Sequence, residues 1–150
     1  MKMFKMPPGA HCIIHAAAML LDEEPETLVK EIGHDGNKIL WPMFHGNSSK
    51  QGYHIQEIID CFIRRKHVLV PIELHPRSSP TGMPIHAERI YDDKQDAERF
   101  WNHIRSNNAL LIGPKHAAAW NGSIVYDPNG QTYPLEDFII IEAWISFRLK

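Results

Sequence analysis

Helical spacing of apolar residues dominates the first part of this chain, and short unbroken apolar runs dominate the last. The run Cys12–Leu21 follows Pro7-Pro8-Gly9-Ala10-His11, a stretch that resists helix formation, so a first helix is expected to open at Cys12. Residues 24–33 predict a short second helix, with Pro25 at its first position and Gly33 as its stop. Ile55, Ile58, Ile59, Phe62 and Ile63 make one stripe of a third helix, from about Tyr53 to Lys66. The basic run Arg64-Arg65-Lys66-His67 closes it, where cations suit the negative end of the helix dipole. Ala97, Phe100, Trp101 and Ile104 share a face of a fourth helix, from about Asp93 to Ser106. Val68–Leu74 is a strand that Pro71 pushes to a sheet edge or a bulge. Ala109–Ile112 reads as a buried strand, and a last strand lies around Ile139–Leu149. Between these elements, residues 34–52 form a long loop containing Trp41, Phe44 and His45, and residues 75–85 form a second irregular connection.

Helices first and strands later give an α+β fold, with N-terminal helices packed on a C-terminal antiparallel sheet and all the helices on one side of it. The chain has 150 residues, 43% of them hydrophobic, which suits a single domain spanning residues 1–150 with a proper core.

Chemistry enters at Asn121-Gly122, which stands between two apolar runs and is a strong hairpin signal. With those two residues as the loop, His116 falls directly opposite Asp127, and opposed side chains share a face. A carboxylate placed there holds the imidazole's tautomer and stabilises its charged form. The chain has two cysteines to serve as a nucleophile. Cys61 sits within the apolar stripe of the third helix and reads as a small buried hydrophobe. Cys12 opens a helix, where unpaired N–H groups and the helix dipole favour the thiolate. Cysteine, histidine and aspartate thus appear in the order of a nucleophilic triad.

These segments resemble the papain-like cysteine peptidases, most closely the bacteriocin-leader-processing type. The similar parts are His11-Cys12-Ile13-Ile14-His15-Ala16-Ala17-Ala18-Met19-Leu20, Gly113-Pro114-Lys115-His116, Asp127-Pro128-Asn129-Gly130 and Tyr133-Pro134-Leu135-Glu136-Asp137-Phe138. The likeness is concentrated at the two ends of the chain. It implies a papain-like fold with Cys12 as nucleophile, His116 as base and Asp127 as the residue orienting His116. One departure stands out. The family's oxyanion-binding glutamine, about six residues before the cysteine, is replaced by Met6, and residues 1–11 hold neither Gln nor Asn. The Cys12 backbone N–H remains as a donor, and His11 is a second candidate for that role. The resemblance also makes the segment containing Gly52, Tyr53 and His54 a candidate substrate-facing loop. Gly52 would let a peptide backbone approach, or simply form a turn. Trp120, beside the hairpin tip, either walls a pocket or packs in the core.

The expected function is a cysteine hydrolase or peptidase, or an acyltransferase, acting on a peptide or another amide- or ester-bearing substrate without a cofactor. The alternative is an inactive papain-fold module that binds or inhibits, which Met6 favours. A zinc-binding protein is a third reading, since ten histidines are present and His11 and His15 stand one helical turn apart. No Cys-x-x-Cys or His-Glu-x-x-His motif accompanies them, so no metal ligands are assigned. A formal charge of −2 argues against a nucleic-acid partner. No run approaches the roughly 20 apolar residues of a membrane span. Cysteine usage suggests a reducing compartment, and we expect a cytoplasmic location. The oligomeric state is left open by the sequence.

Overall fold

Pro7 and Pro8 lack the backbone N–H a helix needs and Gly9 has a φ of 81°, so α1 (Cys12–Leu21) begins beyond them. A computed structural model describes residues 1–37, 40–42, 49–72, 94–113, 115–140 and 142–150. Phe44, His45 and the connection 75–85 lie outside the described residues. α2 (Pro25–Ile32) starts on its proline and stops at Gly33, whose φ of 94° few other residues tolerate. α3 (Ile55–Arg64) is fixed by a capping box. The His54 ring accepts from the Gln56 N–H, and the Glu57 carboxylate accepts from the His54 N–H at 2.9 Å.

The basic run ends α3 as its composition suggests. Arg65 donates to the Cys61 carbonyl at 2.9 Å and to Glu23 and Glu31 at 2.8 and 2.6 Å, and Arg64 adds a bond to Glu31 at 2.7 Å. These contacts tie the end of α3 to the end of α2 and the turn after α1. Hydrogen bonds from Arg65 hold both carboxyls below the usual carboxylate range.

Residues 34–52, expected as loop, contain a small antiparallel ladder of β1 (Leu40–Pro42) and β2 (Ser49–Gln51). The main sheet contains β3 (His67–Ile72), β4 (Asn108–Ile112), β5 (Ala117–Trp120), β6 (Val125–Tyr126), β7 (Thr132–Tyr133) and β8 (Glu142–Arg148). Helix α4 (Lys94–Ile104) precedes β4, and a 3-10 turn spans Leu135–Asp137. Strand order is β3-β8-β4-β5-β6-β7, and each neighbouring pair is antiparallel. The architecture is therefore α+β. β3 is an edge strand, so Pro71, opposite Trp144, interrupts no inner ladder.

One expectation about the layers is corrected. Helices cover both faces of the sheet, because alternate residues of its central strands enter different cores. Leu110, Ala117 and Ala119 join Ile14, Met19, Leu28, Ile58 and Phe62 from α1, α2 and α3. Ala109, Leu111, Ala118 and Trp120 join Phe100 and Ile104 of α4. On the first face Ala16, Ala17 and Ala18 of α1 meet alanines of β5 in the same core. Small side chains on both elements allow a close approach, which brings the start of α1 beside the start of β5.

Candidate active site

The hairpin after β5 forms, but with a different tip from the one expected. Trp120 pairs with Val125 and Ala119 with Tyr126, so Gly122 and Ser123 make the loop. The Asn121 side chain is the reason. Its Oδ1 accepts from the N–H groups of Ser123 and Ile124 at 3.0 and 2.8 Å, making an Asx turn that begins one residue later than the Asn-Gly reading. Extending this ladder sets Asp127 opposite Ala118, two positions from His116. A displacement of two preserves the face, whereas a displacement of one would have turned Asp127 away. The two side chains meet diagonally: His116 Nε2 lies 2.9 and 2.8 Å from the Asp127 oxygens.

Asp127 is held on every side. Its backbone N–H donates to the Gln131 carbonyl, and its carbonyl accepts from the Gly130 N–H, both at 2.9 Å. The Asn129 N–H donates to Oδ1 at 2.8 Å, and the Tyr133 hydroxyl donates to Oδ2. Asp127 is only 2% exposed, and a carboxylate so buried requires such partners. The His116 side chain keeps 37% of its surface, so the imidazole remains reachable from solvent.

Cys12 arrives from the other direction. Its Sγ accepts from the Ala117 backbone N–H at 3.2 Å, and its interaction with His116 is the largest cause of that ring's raised pKa. Since Asp127 occupies Nε2, Nδ1 is the ring nitrogen left for sulfur. The N-cap residue of α1, His11, makes no side-chain cap, which leaves the positive helix end for the sulfur. The His116 pKa is pushed up to about 9, first by the hydrogen bond to Cys12, against the effect of burial, and then by the bond to Asp127 and its charge. The imidazolium thus stabilises the fold fully below about pH 6.5, and that contribution is lost as pH rises through about 9. Cys61 is the opposite case. It is 1% exposed, and burial pushes its thiol up to about 11.

The other candidates separate. Met6 lies near the site, its N–H donating to the Pro128 carbonyl at 2.7 Å, but its side chain has no donor for an oxyanion. His11 is not suited to that role. Its Nε2 meets Asn37 Oδ1 at 3.0 Å, which makes Nε2 a donor there and, in the neutral ring, leaves Nδ1 an acceptor. Gly52 is buried with φ of 124°, and the His11 ring lies where a Cβ would sit. The glycine makes room for that ring. Tyr53 donates to the His34 carbonyl at 2.7 Å and stacks on the His34 ring, while His54 is the cap of α3. Trp120 is core: it is 1% exposed, and its Nε1–H donates to the Ile104 carbonyl at 2.8 Å. A side chain so enclosed offers a substrate no surface.

His15 Nδ1 meets the His11 carbonyl at 3.2 Å. Among the described residues no group of three or more His, Cys, Asp or Glu is gathered as a metal ion would need, and no helix is long and apolar enough to cross a membrane. Three contributors escaped the sequence reading: Tyr133, the Asn129 amide and the Ala117 amide. Tyr133 had a legible signal, since a strand returning from the Asp127-Pro128-Asn129-Gly130 turn brings its side chains back past the aspartate. A backbone amide has no sequence signal. Comparison of the chain with protein-family models, with curated proteins and with solved structures finds no match.

Proposed function

We propose that the chain is a cysteine hydrolase or peptidase with a papain-like arrangement, acting on an amide or ester carbonyl. The observation that carries this reading is the Cys12 sulfur held on the Ala117 N–H, next in the chain to His116, whose Nε2 is bound by the buried Asp127 carboxylate. A structural cysteine gains nothing from a solvent-reachable imidazole backed by a buried carboxylate. In the proposed cycle, His116 Nδ1 accepts the thiol proton and Sγ attacks the carbonyl carbon. The carbonyl electron pair moves to oxygen, facing the Cys12 backbone N–H. Collapse of this adduct breaks the bond to the amine or alcohol, which leaves with the proton from Nδ1. Water then attacks the thioester and gives its proton to His116, and the acid departs with the thiol restored. Asp127, with Nε2–H, keeps the ring in the tautomer this requires.

The pH dependence follows from the two thiol environments. Iodoacetamide should modify Cys12 readily at pH 6, while Cys61 reacts only as pH approaches about 11. Turnover should fall above about pH 9, when His116 no longer carries the proton the leaving group needs, although alkylation of Cys12 continues. Mass spectrometry of the alkylated protein across this range checks the prediction. Equal sluggishness at both cysteines overturns it.

Met6 favours a second reading, a binding or inhibitory module on the same scaffold, because loss of one oxyanion donor costs roughly 10²–10³ in rate. Rapid Cys12 alkylation without acylation by any peptide thioester, ester or amide would favour that module.

A further inference from the structure

Asp127 accepts more hydrogen bonds than the proposed triad needs. His116 Nε2 lies against both of its oxygens, at 2.9 and 2.8 Å, yet Oδ1 also takes the Asn129 N–H and Oδ2 also takes the Tyr133 hydroxyl. The Asn129 amide belongs to the same turn as the aspartate. Tyr133 arrives from the next strand. Gly130, with φ of 96°, reverses the chain, the Gln131 N–H donates to Asn129 Oδ1 at 2.9 Å, and β7 returns along β6 with Tyr133 paired to Val125. Val125 and Asp127 are two positions apart in extended chain, so their side chains share a face, and the pairing brings Tyr133 to that face as well. Its ring packs against the core beneath α4. The residue is only partly buried, so packing alone does not require that its hydroxyl be spent on a carboxylate. Two donors on one oxygen compete for the same charge. What Tyr133 draws from Oδ2 is lost to His116, and with Asp127 only 2% exposed, water has little access to share that charge instead.

We propose that Tyr133 is a positioning residue acting through Asp127, its hydroxyl drawing off part of the carboxylate's charge so that the His116 imidazolium stays acidic enough to protonate a leaving group. The assignment rests on the hydrolase reading for its consequence in turnover, and not for its effect on the ring. An imidazolium facing a buried carboxylate that nothing else shares holds its proton too tightly to serve well as a general acid. The His116 pKa already stands at about 9, raised first by Cys12 and, against burial, by Asp127. Burial, with Asp127 beside it, pushes the Tyr133 hydroxyl above its ordinary value, so it remains a donor while His116 titrates. The other titratable groups acting here are Cys12 at the start of α1, which faces His116, and Asp137 of the 3-10 turn, which acts on Tyr133.

Two replacements test this in opposite directions. Tyr133→Phe keeps the ring and removes the donor, while 3-fluorotyrosine at position 133 keeps the donor and makes it more acidic. The His116 ring is titrated by NMR in both forms and in the wild-type protein. Its midpoint should rise by about 0.5 pH unit or more in Tyr133→Phe and fall in the fluorinated form. A packing defect would move both forms the same way or neither. Tyr126→Phe, on the adjacent strand and without a bond to Asp127, should leave the midpoint in place. A midpoint unmoved or lowered in Tyr133→Phe, or moved alike in both forms, overturns the assignment. If Tyr133→Phe does not fold, the fluorinated protein decides alone: a lowered midpoint supports the assignment, and an unmoved or raised one overturns it. A second arm follows turnover of a peptide amide against pH, where the alkaline limb should move with the ring. A shifted ring in a protein that turns over no ester, thioester or amide would retain the coupling of Tyr133 to His116 and overturn the hydrolase reading alone. Turnover with an unmoved ring would do the reverse.

Discussion

Replacing Cys12 with alanine should abolish covalent labelling at pH 6 and reduce any turnover by at least about 10⁴-fold, the scale on which nucleophile removal acts in comparable triads. The fold should survive. Cys12 is only partly buried, and the losses are the hydrogen bond from the Ala117 N–H, worth about 1 kcal/mol, and the interaction with the half-exposed His116 ring. For a chain of this size the melting temperature should move by roughly 2–4 °C. The change also has a signature that structural damage would not give. Because the bond to Cys12 is the largest cause of the raised His116 pKa, the ring should titrate below about 9 in the variant, as followed by NMR. Full activity in Cys12→Ala, or an unmoved His116 titration, would remove the sulfur from the site.

Trp120→Ala should be the most damaging single core change, destabilising by about 3–5 kcal/mol. An aromatic of this size buries roughly 150–250 Å², and Trp120 gives almost all of it to the core shared by α4 and the sheet. Its ring lies 6.2 Å from that of Trp101, and its Nε1–H satisfies the Ile104 carbonyl at the end of α4. Truncation opens a cavity and leaves that carbonyl without its indole donor. The melting temperature should drop by on the order of 10 °C. Since His116 immediately precedes β5 and Trp120 ends it, Cys12 alkylation should lose its preference over Cys61 as the strand loosens. Urea titration with alkylation in parallel checks both effects, and an unchanged midpoint would show that Trp120 is not a keystone of this core.

How much of this was legible in the sequence depended on where the deciding interaction lay. Local backbone chemistry could be read directly. Pro7-Pro8-Gly9 placed the start of α1 at Cys12, Pro25 and Gly33 bounded α2, and Pro71 marked β3 as an edge. The hairpin register missed by two residues because a side chain, Asn121 Oδ1, organises the tip. The His116–Asp127 pairing survived because the error was even. Coverage of both sheet faces was missed for another reason. The stripe on α4 says which side of the helix is buried, not which side of the sheet it covers. A signal was nevertheless present in Ala109–Ile112 and Ala117–Trp120, whose unbroken apolar runs suit strands enclosed on both faces. His11 was assigned to the oxyanion and Gly52 to substrate because their mutual contact joins segments far apart in the chain, and no periodicity reports such a contact.

The bond between Met6 and Pro128 and the seat of the Lys5 side chain on Gly130 have a practical consequence. Whatever is fused ahead of Met1 hangs from a segment stitched to the turn that holds Asp127. A bulky purification handle there tugs on the acid's mooring, and an activity assay run with one attached would report on the handle as much as on Cys12, His116 and Asp127.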